Sequence, residues 1–162
     1  MMAAPLLIMR HGEALSGFPD EQRVLSERGR EEATAMGRWL AERPDSVKLR
    51  VIASPYTRAQ QTAALVAEQF ATTPDIDTLE IITPDDDPEA VVEWLLTQAD
   101  DTPILLVSHM PLVAVLTGLL VEGRSDTGVG FATAAVAELT GDVWASGCLS
   151  LRSLTTPAQA KE

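Results

Sequence analysis

A chain of 162 residues and 17.4 kDa is long enough for one sizeable core, because about 70% of the unfolded surface is buried at this size. A single domain over residues 1–162 is therefore expected, with its core at about 5–152. The formal charge of −12, from 24 acidic against 12 basic side chains, opposes association with nucleic-acid phosphates and anionic lipid, so no nucleic acid and no membrane are expected as partners.

Met1 to Met9 is apolar but lacks a basic n-region and runs straight into Arg10, unlike a secretory leader. Pro5 to Met9 reads as a strand covered on both faces of a sheet, being a short apolar run without alternation. A loop is expected from Leu15 to Gln22. From Glu27 to Arg43 apolar or small residues recur at Ala33, Met36, Gly37 and Leu40, on one helical face, with Ser26 placed to cap the start. Leu49 to Ala53 is a second buried strand, and Ala59, Thr62, Ala63, Val66 and Phe70 form the stripe of a second helix. Ala71 to Thr78 reads as a loop, and Leu79 to Ile82 as a weaker strand.

Asp87 before Pro88 starts a third helix, whose buried face is Val91, Val92, Leu95 and Leu96. The apolar run from Pro103 to Val121 approaches membrane-spanning length, but Ser108, His109 and Pro111 interrupt it. A buried strand, Pro103 to Ser108, followed by a helix from Pro111 through Leu120 explains it better. After a loop at Val121 to Gly130, Ala134 to Leu139 and Val143 to Leu151 flank Gly141-Asp142 as a closing hairpin. The tail after Ser153 is expected to fray. Cys148, the one cysteine, excludes an internal disulfide, fits a cytoplasmic setting and reads as a small buried hydrophobe. Strands alternating with helices imply an α/β fold: a three-layer α/β/α sandwich around a mostly parallel sheet, with an antiparallel C-terminal edge hairpin.

Ligands of open α/β sheets bind beyond the carboxyl ends of the strands, so the residues that follow each strand belong together. Here they are Arg10-His11-Gly12-Glu13, Ser54-Pro55-Tyr56-Thr57-Arg58 and His109-Met110-Pro111, which include both histidines of the chain. A tetrahedral phosphoryl group needs cationic or N–H donors around its equatorial oxygens and a nucleophile in line with the leaving group. His11 is placed to attack as neutral imidazole. Gly12 lets backbone approach the ligand, Arg10 and Arg58 can fork onto phosphate oxygens, and His109 adds a donor. The helix start near Pro111 aims further N–H groups at the same anion. Neighbouring guanidinium groups should lower the imidazole pKa, so activity is expected to persist into mildly acidic pH.

A histidine at a strand end is, by itself, more often structural; the arginines change that weighing. Arg58 sits in the first turn of a helix, where a cation opposes the dipole unless an anion is bound. Asp85-Asp86-Asp87 reads as a solvated helix start rather than a metal site. Cys148 and Arg152 lack the spacing of cysteine-dependent phosphatases, and Gly128-Val129-Gly130 follows no strand, so nucleotide-binding readings lapse.

The ordered set resembles the histidine phosphatase superfamily, also called phosphoglycerate-mutase-like. Its R-H-G, S-P-x-x-R-A-x-Q-T and x-H-x-P signatures read here as Arg10-His11-Gly12, Ser54 to Thr62 and Ser108-His109-Met110-Pro111. Arg23-Val24-Leu25-Ser26-Glu27-Arg28-Gly29 looks like the family's R-P-L-T-x-x-G segment with Val24 in place of Pro, which makes Arg23 a candidate phosphate contact. The Leu105 to Val113 segment and Phe131-Ala132-Thr133 look like the SixA-type branch, the phosphohistidine phosphatases. The resemblance covers roughly Leu6 to Leu151.

It implies His11 as nucleophile, Arg10, Arg58 and His109 as the phosphate pocket, no metal or organic cofactor, and a monomer. The implied partner is a phosphohistidine-bearing signalling protein of the histidine phosphotransfer kind, with phosphate anion as product. Many family members carry a Glu or Asp general acid after the third strand, but Ile81-Ile82-Thr83-Pro84 offers none in register. Glu13, Glu80, Asp85, Asp86 and Asp87 are the acidic groups left to consider. The gap fits the SixA-type branch, because a labile bond to nitrogen needs less acid assistance than an ester. The short path from Phe70 to Thr83 leaves little chain for a lid, so an open pocket is expected. The rival readings are a phosphatase of small phosphate esters and a catalytically idle phosphoprotein-binding module.

Overall fold

Strand β1 (Leu6–Arg10) lies inside a six-stranded sheet in the computed structural model, which describes residues 2–161. Helix α1 (Glu27–Ala41), β2 (Arg50–Ala53), α2 (Thr57–Ala67), β3 (Ile76–Thr78), α3 (Pro88–Leu96), β4 (Ile104–Ser108), α4 (Leu112–Glu122), β5 (Val136–Gly141), β6 (Leu149–Thr155) and α5 (Pro157–Ala160) follow. The sheet order is β3-β2-β4-β1-β5-β6. The first four of these strands are parallel, and β5 and β6 are antiparallel additions beside β1.

Alternate residues of the central strands point to opposite faces, and both faces are covered. Leu6, Ile8, Ile104 and Leu106 pack with Val91 and Leu95 of α3 and with Val113, Leu116 and Leu120 of α4. Leu7, Met9, Leu105 and Val107 pack with Met36 and Leu40 of α1 and with Ala59, Ala63 and Val66 of α2. Helices on both faces of a mostly parallel sheet make the expected three layers. Helix α4 is buried around nearly its whole circumference, which is why its sequence is as apolar as a membrane span without being one. Among the described residues no helix is long and apolar enough to cross a membrane.

Local chemistry sets several boundaries. Ser26 Oγ accepts the Gly29 N–H at 3.0 Å to start α1. Asp87 accepts the Glu89 N–H at 2.9 Å to start α3, with Pro88 at its first position. Asp86 takes up the Thr83 N–H. The acidic run Asp85 to Asp87 is thus a helix start built from its own carboxylates.

Several expectations need correction. Leu96, expected on the buried face of α3, is 55% exposed, and Phe70 lies beyond the end of α2, which stops at Ala67. The third strand is Ile76–Thr78, not Leu79 to Ile82. It is an edge with only Ile76 half-buried, so it carries no apolar signal, whereas Leu79 and Ile81 supply apolar contacts to the α3 side of the core as a turn. The hairpin strands lie later than read, and their connection is longer because Trp144 leaves the strand pattern to bury itself, its indole N–H donating to Ala4 O at 3.0 Å. The tail after Ser153 continues β6 and then forms α5, closed by a capping box between Thr156 and Gln159. Cys148 is exposed rather than buried, because it sits in that longer connection.

Candidate active site

The three post-strand segments meet at the carboxyl ends of β1, β2 and β4. Arg10 pairs in register with Ser108, and the next N–H, that of His11, donates to Ser108 O at 2.9 Å. Ala134 donates its N–H to His11 O at 3.0 Å and does so at φ 60°, a left-handed conformation that costs a non-glycine residue on the order of 1 kcal/mol. The start of the C-terminal hairpin is held against the loop after β1 by that bond.

Four side chains converge there. The His11 and His109 rings lie 5.1 Å apart, Tyr56 stands edge-on to His109 at 5.0 Å, and the Arg58 guanidinium covers the Tyr56 ring at 5.1 Å. Arg58 Nε–H donates to His11 Nε2 at 3.3 Å. His11 Nδ1 lies 2.7 Å from Gly12 O. A carbonyl only accepts, so the proton is on Nδ1 and Nε2 carries the lone pair, which faces Arg58. Burial, with the guanidinium charges of Arg58, Arg10 and Arg23 adding to it, lowers the His11 pKa to about 4 against the opposing pull of Gly12 O. At neutral pH the ring is an uncharged base, in the direction the sequence implies.

His109 is held through Ser54, whose Oγ lies 2.7 Å from His109 Nε2 and accepts the Tyr56 N–H at 3.2 Å. Burial, with His11 and Arg58 adding, lowers the His109 pKa to about 3. Its Nδ1 is buried without a hydrogen-bond partner among the described residues, and so is Arg10 Nε. The other end of Arg10 is fixed, Nη1 donating to Phe131 O at 2.8 Å. Two buried side-chain nitrogens, one of Arg10 and one of His109, therefore lack protein partners among the described residues.

Other expected residues take different places. The Gly12 N–H donates to Thr62 Oγ1 at 3.1 Å, and Thr62 donates onward to Arg58 O at 2.7 Å. A Cβ at Gly12 would stand 2.6 Å from Gly29 O, and one at Gly29 would stand 1.9 Å from Glu13 O, so the loop after β1 presses directly on the first turn of α1. Arg23 is not inside the cluster; it donates to Leu15 O at 2.8 Å and to Asp20 at 3.1 Å. The Glu13 carboxylate accepts from Ser26 Oγ at 2.8 Å, Glu80 and Asp85 are exposed, and Asp86 and Asp87 serve the start of α3. The N–H groups of Val113 and Ala114 bond to His109 O and Pro111 O, inside the first turn of α4.

Three residues escape the sequence reading. Glu32 is a buried carboxylate that accepts the Glu13 N–H at 2.8 Å and the Thr133 hydroxyl at 2.8 Å, tying two site loops to α1. Its signal was present, because it shares the buried face of α1 with Ala33, Met36 and Leu40. Thr62 lies one helical turn beyond Arg58, so its return toward the site was also readable. Asp20, which ion-pairs with Arg58 at 3.2 Å, gives no such signal.

A family model described as the histidine phosphatase superfamily (branch 1) matches residues 6–80. Over 145 residues the chain is 34% identical to phosphohistidine phosphatase SixA of Escherichia coli (strain K12), an alignment covering 88% of each protein. The chain belongs to the histidine phosphatase superfamily and is a phosphatase. Two of its alignments that span most of both chains are to SixA proteins. The SixA homolog of Haemophilus influenzae (strain ATCC 51907 / DSM 11121 / KW20 / Rd) is 32% identical over 146 residues, covering 85% of this chain and 88% of that protein. The solved structure of the protein histidine phosphatase SixA complexed with tungstate superposes with a TM-score of 0.82 at 30% identity, covering 95% of this chain and 97% of that one.

Proposed function

We propose that the protein hydrolyses phosphohistidine carried on another protein, with His11 as nucleophile and Arg10, Arg58 and His109 as the phosphoryl clamp. One observation carries this reading: His11 keeps its proton on Nδ1, bonded to Gly12 O at 2.7 Å, and presents the Nε2 lone pair beside Arg58 at 3.3 Å. The names of the SixA relatives support phosphohistidine as the substrate. The shortage of chain that could close over the site supports a protein donor. The stretch from Phe70 to Thr83 is spent on β3 and on a turn tied to β2 by Leu79 N–H to Ala53 O at 3.0 Å.

In the first step His11 Nε2 bonds to phosphorus as the donor's phosphorus–nitrogen bond breaks. The donor ring, protonated on its second nitrogen, leaves as neutral imidazole, and His11, retaining its Nδ1 proton, becomes the phosphoimidazolium. Transfer between two imidazoles in the same protonation state moves no proton, so no general acid is required. In the second step water attacks phosphorus, phosphate and a proton leave, and neutral His11 returns.

Equatorial charge falls on Arg58, on the unpartnered Arg10 Nε and on His109 Nδ1. Ser54 serves the last of these: its Oγ already accepts the Tyr56 N–H, and in this mechanism its one hydroxyl proton goes to Nε2 of His109, which leaves the imidazole proton on Nδ1 for the anion. Each such donor contributes on the order of 10²-fold to the rate. Quenching the enzyme in base during turnover of a phosphohistidine protein should trap acid-labile phosphate on His11. His11→Ala should carry none and lose at least about 10³-fold in turnover. Full activity in that variant refutes the mechanism, and faster turnover of a sugar phosphate than of the phosphohistidine protein refutes the substrate.

A further inference from the structure

Arg58 has a second partner that the proposed reaction does not use. The guanidinium is 4% exposed, and three of its groups are engaged: Nε on His11 Nε2, Nη1 on Asp20 O at 2.7 Å and Nη2 on Asp20 Oδ2 at 3.2 Å. Nε and Nη2 form one edge of the fork, the edge that takes a phosphate bidentately. A phosphoryl group on His11 that uses this edge meets the Asp20 carboxylate at Nη2. The other oxygen of Asp20, Oδ1, is bonded to Arg23 Nη1 at 3.1 Å, so a second cation near the site is held by the same acid.

Asp20 differs from the groups around it in its freedom. Its side chain is 55% exposed, and it belongs to a short 3-10 turn, Asp20–Gln22, with no buried residue. The hydrogen bonds from Arg23 and Arg58 hold its carboxyl below the usual range, so at neutral pH it is an anion. It also sits against the N-terminal turn of α2, where Arg58 would otherwise face the positive end of the helix without a counter-charge.

We propose that Asp20 is a displaceable internal counter-ion that competes with the phosphoryl group for Arg58, and so sets the affinity for phosphate and speeds its release. This rests on the phosphoryl clamp proposed above. The backbone carbonyl of Asp20 keeps Arg58 aimed at His11 whatever the side chain does, so the carboxylate is free to swing out as an oxyanion binds and to return as it leaves. A dianion retained by two arginines and two histidines would leave slowly; a tethered carboxylate one bond away favours its exit.

The test is binding of inorganic phosphate and of tungstate, by calorimetry, to the full chain and to Asp20→Asn, Asp20→Ala and Arg58→Ala. Loss of one exposed ion pair corresponds to about a fivefold change in affinity. Both Asp20 variants should therefore bind the anions about fivefold or more tightly, and Arg58→Ala at least about tenfold more weakly. Unchanged or weaker binding in both Asp20 variants, with binding lost in Arg58→Ala, overturns the counter-ion and leaves the clamp intact. Undiminished binding in Arg58→Ala overturns the clamp and the counter-ion with it. A collapse of kcat in Asp20→Asn with anion affinity unchanged makes Asp20 a base for the attacking water, which also overturns the proposal.

Discussion

His109 is 1% exposed, yet one of its two ring nitrogens has no partner among the described residues. A buried polar atom left without a partner costs about 1–3 kcal/mol, and in the proposed mechanism the phosphoryl group is what completes it. In the proposed clamp Ser54, fully buried beside the other nitrogen, sets which atom carries the proton. Ser54→Ala removes that decision: the imidazole becomes free to place its proton on Nε2, away from the phosphoryl group. The expected outcome is a fall in kcat/KM on the order of tenfold to 100-fold, together with weaker phosphate binding. Steady-state kinetics and phosphate inhibition of the folded variant check it, and values equal to the parent's would mean that the hydroxyl does no more than fill space.

Helix α1 and the loop after β1 are in direct backbone contact. Gly12 and Gly29 approach so closely that neither tolerates a Cβ without backbone movement. Ser26, Glu13 and Glu32 then bind the two segments through Ser26 N–H to Glu13 O at 2.9 Å and Glu13 N–H to Glu32 at 2.8 Å. Gly29→Ala should therefore destabilise the protein by about 2–3 kcal/mol or more and loosen the His11 loop, although helix propensity alone favours alanine by nearly 1 kcal/mol. Urea denaturation checks this, and a stabilised variant would refute the packing. Elements of this kind were readable in the sequence where a short-range cause acts: Ser26 caps α1, Asp87-Pro88 opens α3, and unbroken apolar runs mark β1 and β4. The edge strand β3 was not readable, because its pairing with β2 is backbone-to-backbone and leaves Asp77 and Thr78 exposed. The site divides in the same way. The strand-end rule gathers Arg10, His11, Arg58 and His109, but the partners that aim them, Asp20 and the Phe131 carbonyl, come from contacts across 38 and 121 positions, to which no local pattern points.

For the molecule as a whole the two histidines couple function to stability. Folding lowers His11 from its ordinary 6.5 to about 4 and His109 from 6.5 to about 3, so between those values and 6.5 the unfolded chain binds protons that the folded one refuses. Stability is then fully present above pH 6.5 and falls as the pH drops from there toward 4. At about 1.4 kcal/mol per pH unit for each ring, the loss by pH 5 is a few kcal/mol, a large share of the about 5–15 kcal/mol typical of a domain. The net charge of −12 works the other way, since acid relieves repulsion among the carboxylates. That relief arrives mainly near their own pKa, about 4, so over pH 6.5 to 5 the histidines decide the slope. The urea midpoint should therefore drop between pH 7.5 and pH 5, and a flat midpoint over that interval would refute the buried neutral pair. Saturating tungstate should recover much of the drop, because an oxyanion among these groups favours the protonated rings and by linkage binds more tightly as they charge. The low pKa that frees His11 Nε2 at neutral pH is thus the same quantity that makes the fold sensitive to acid.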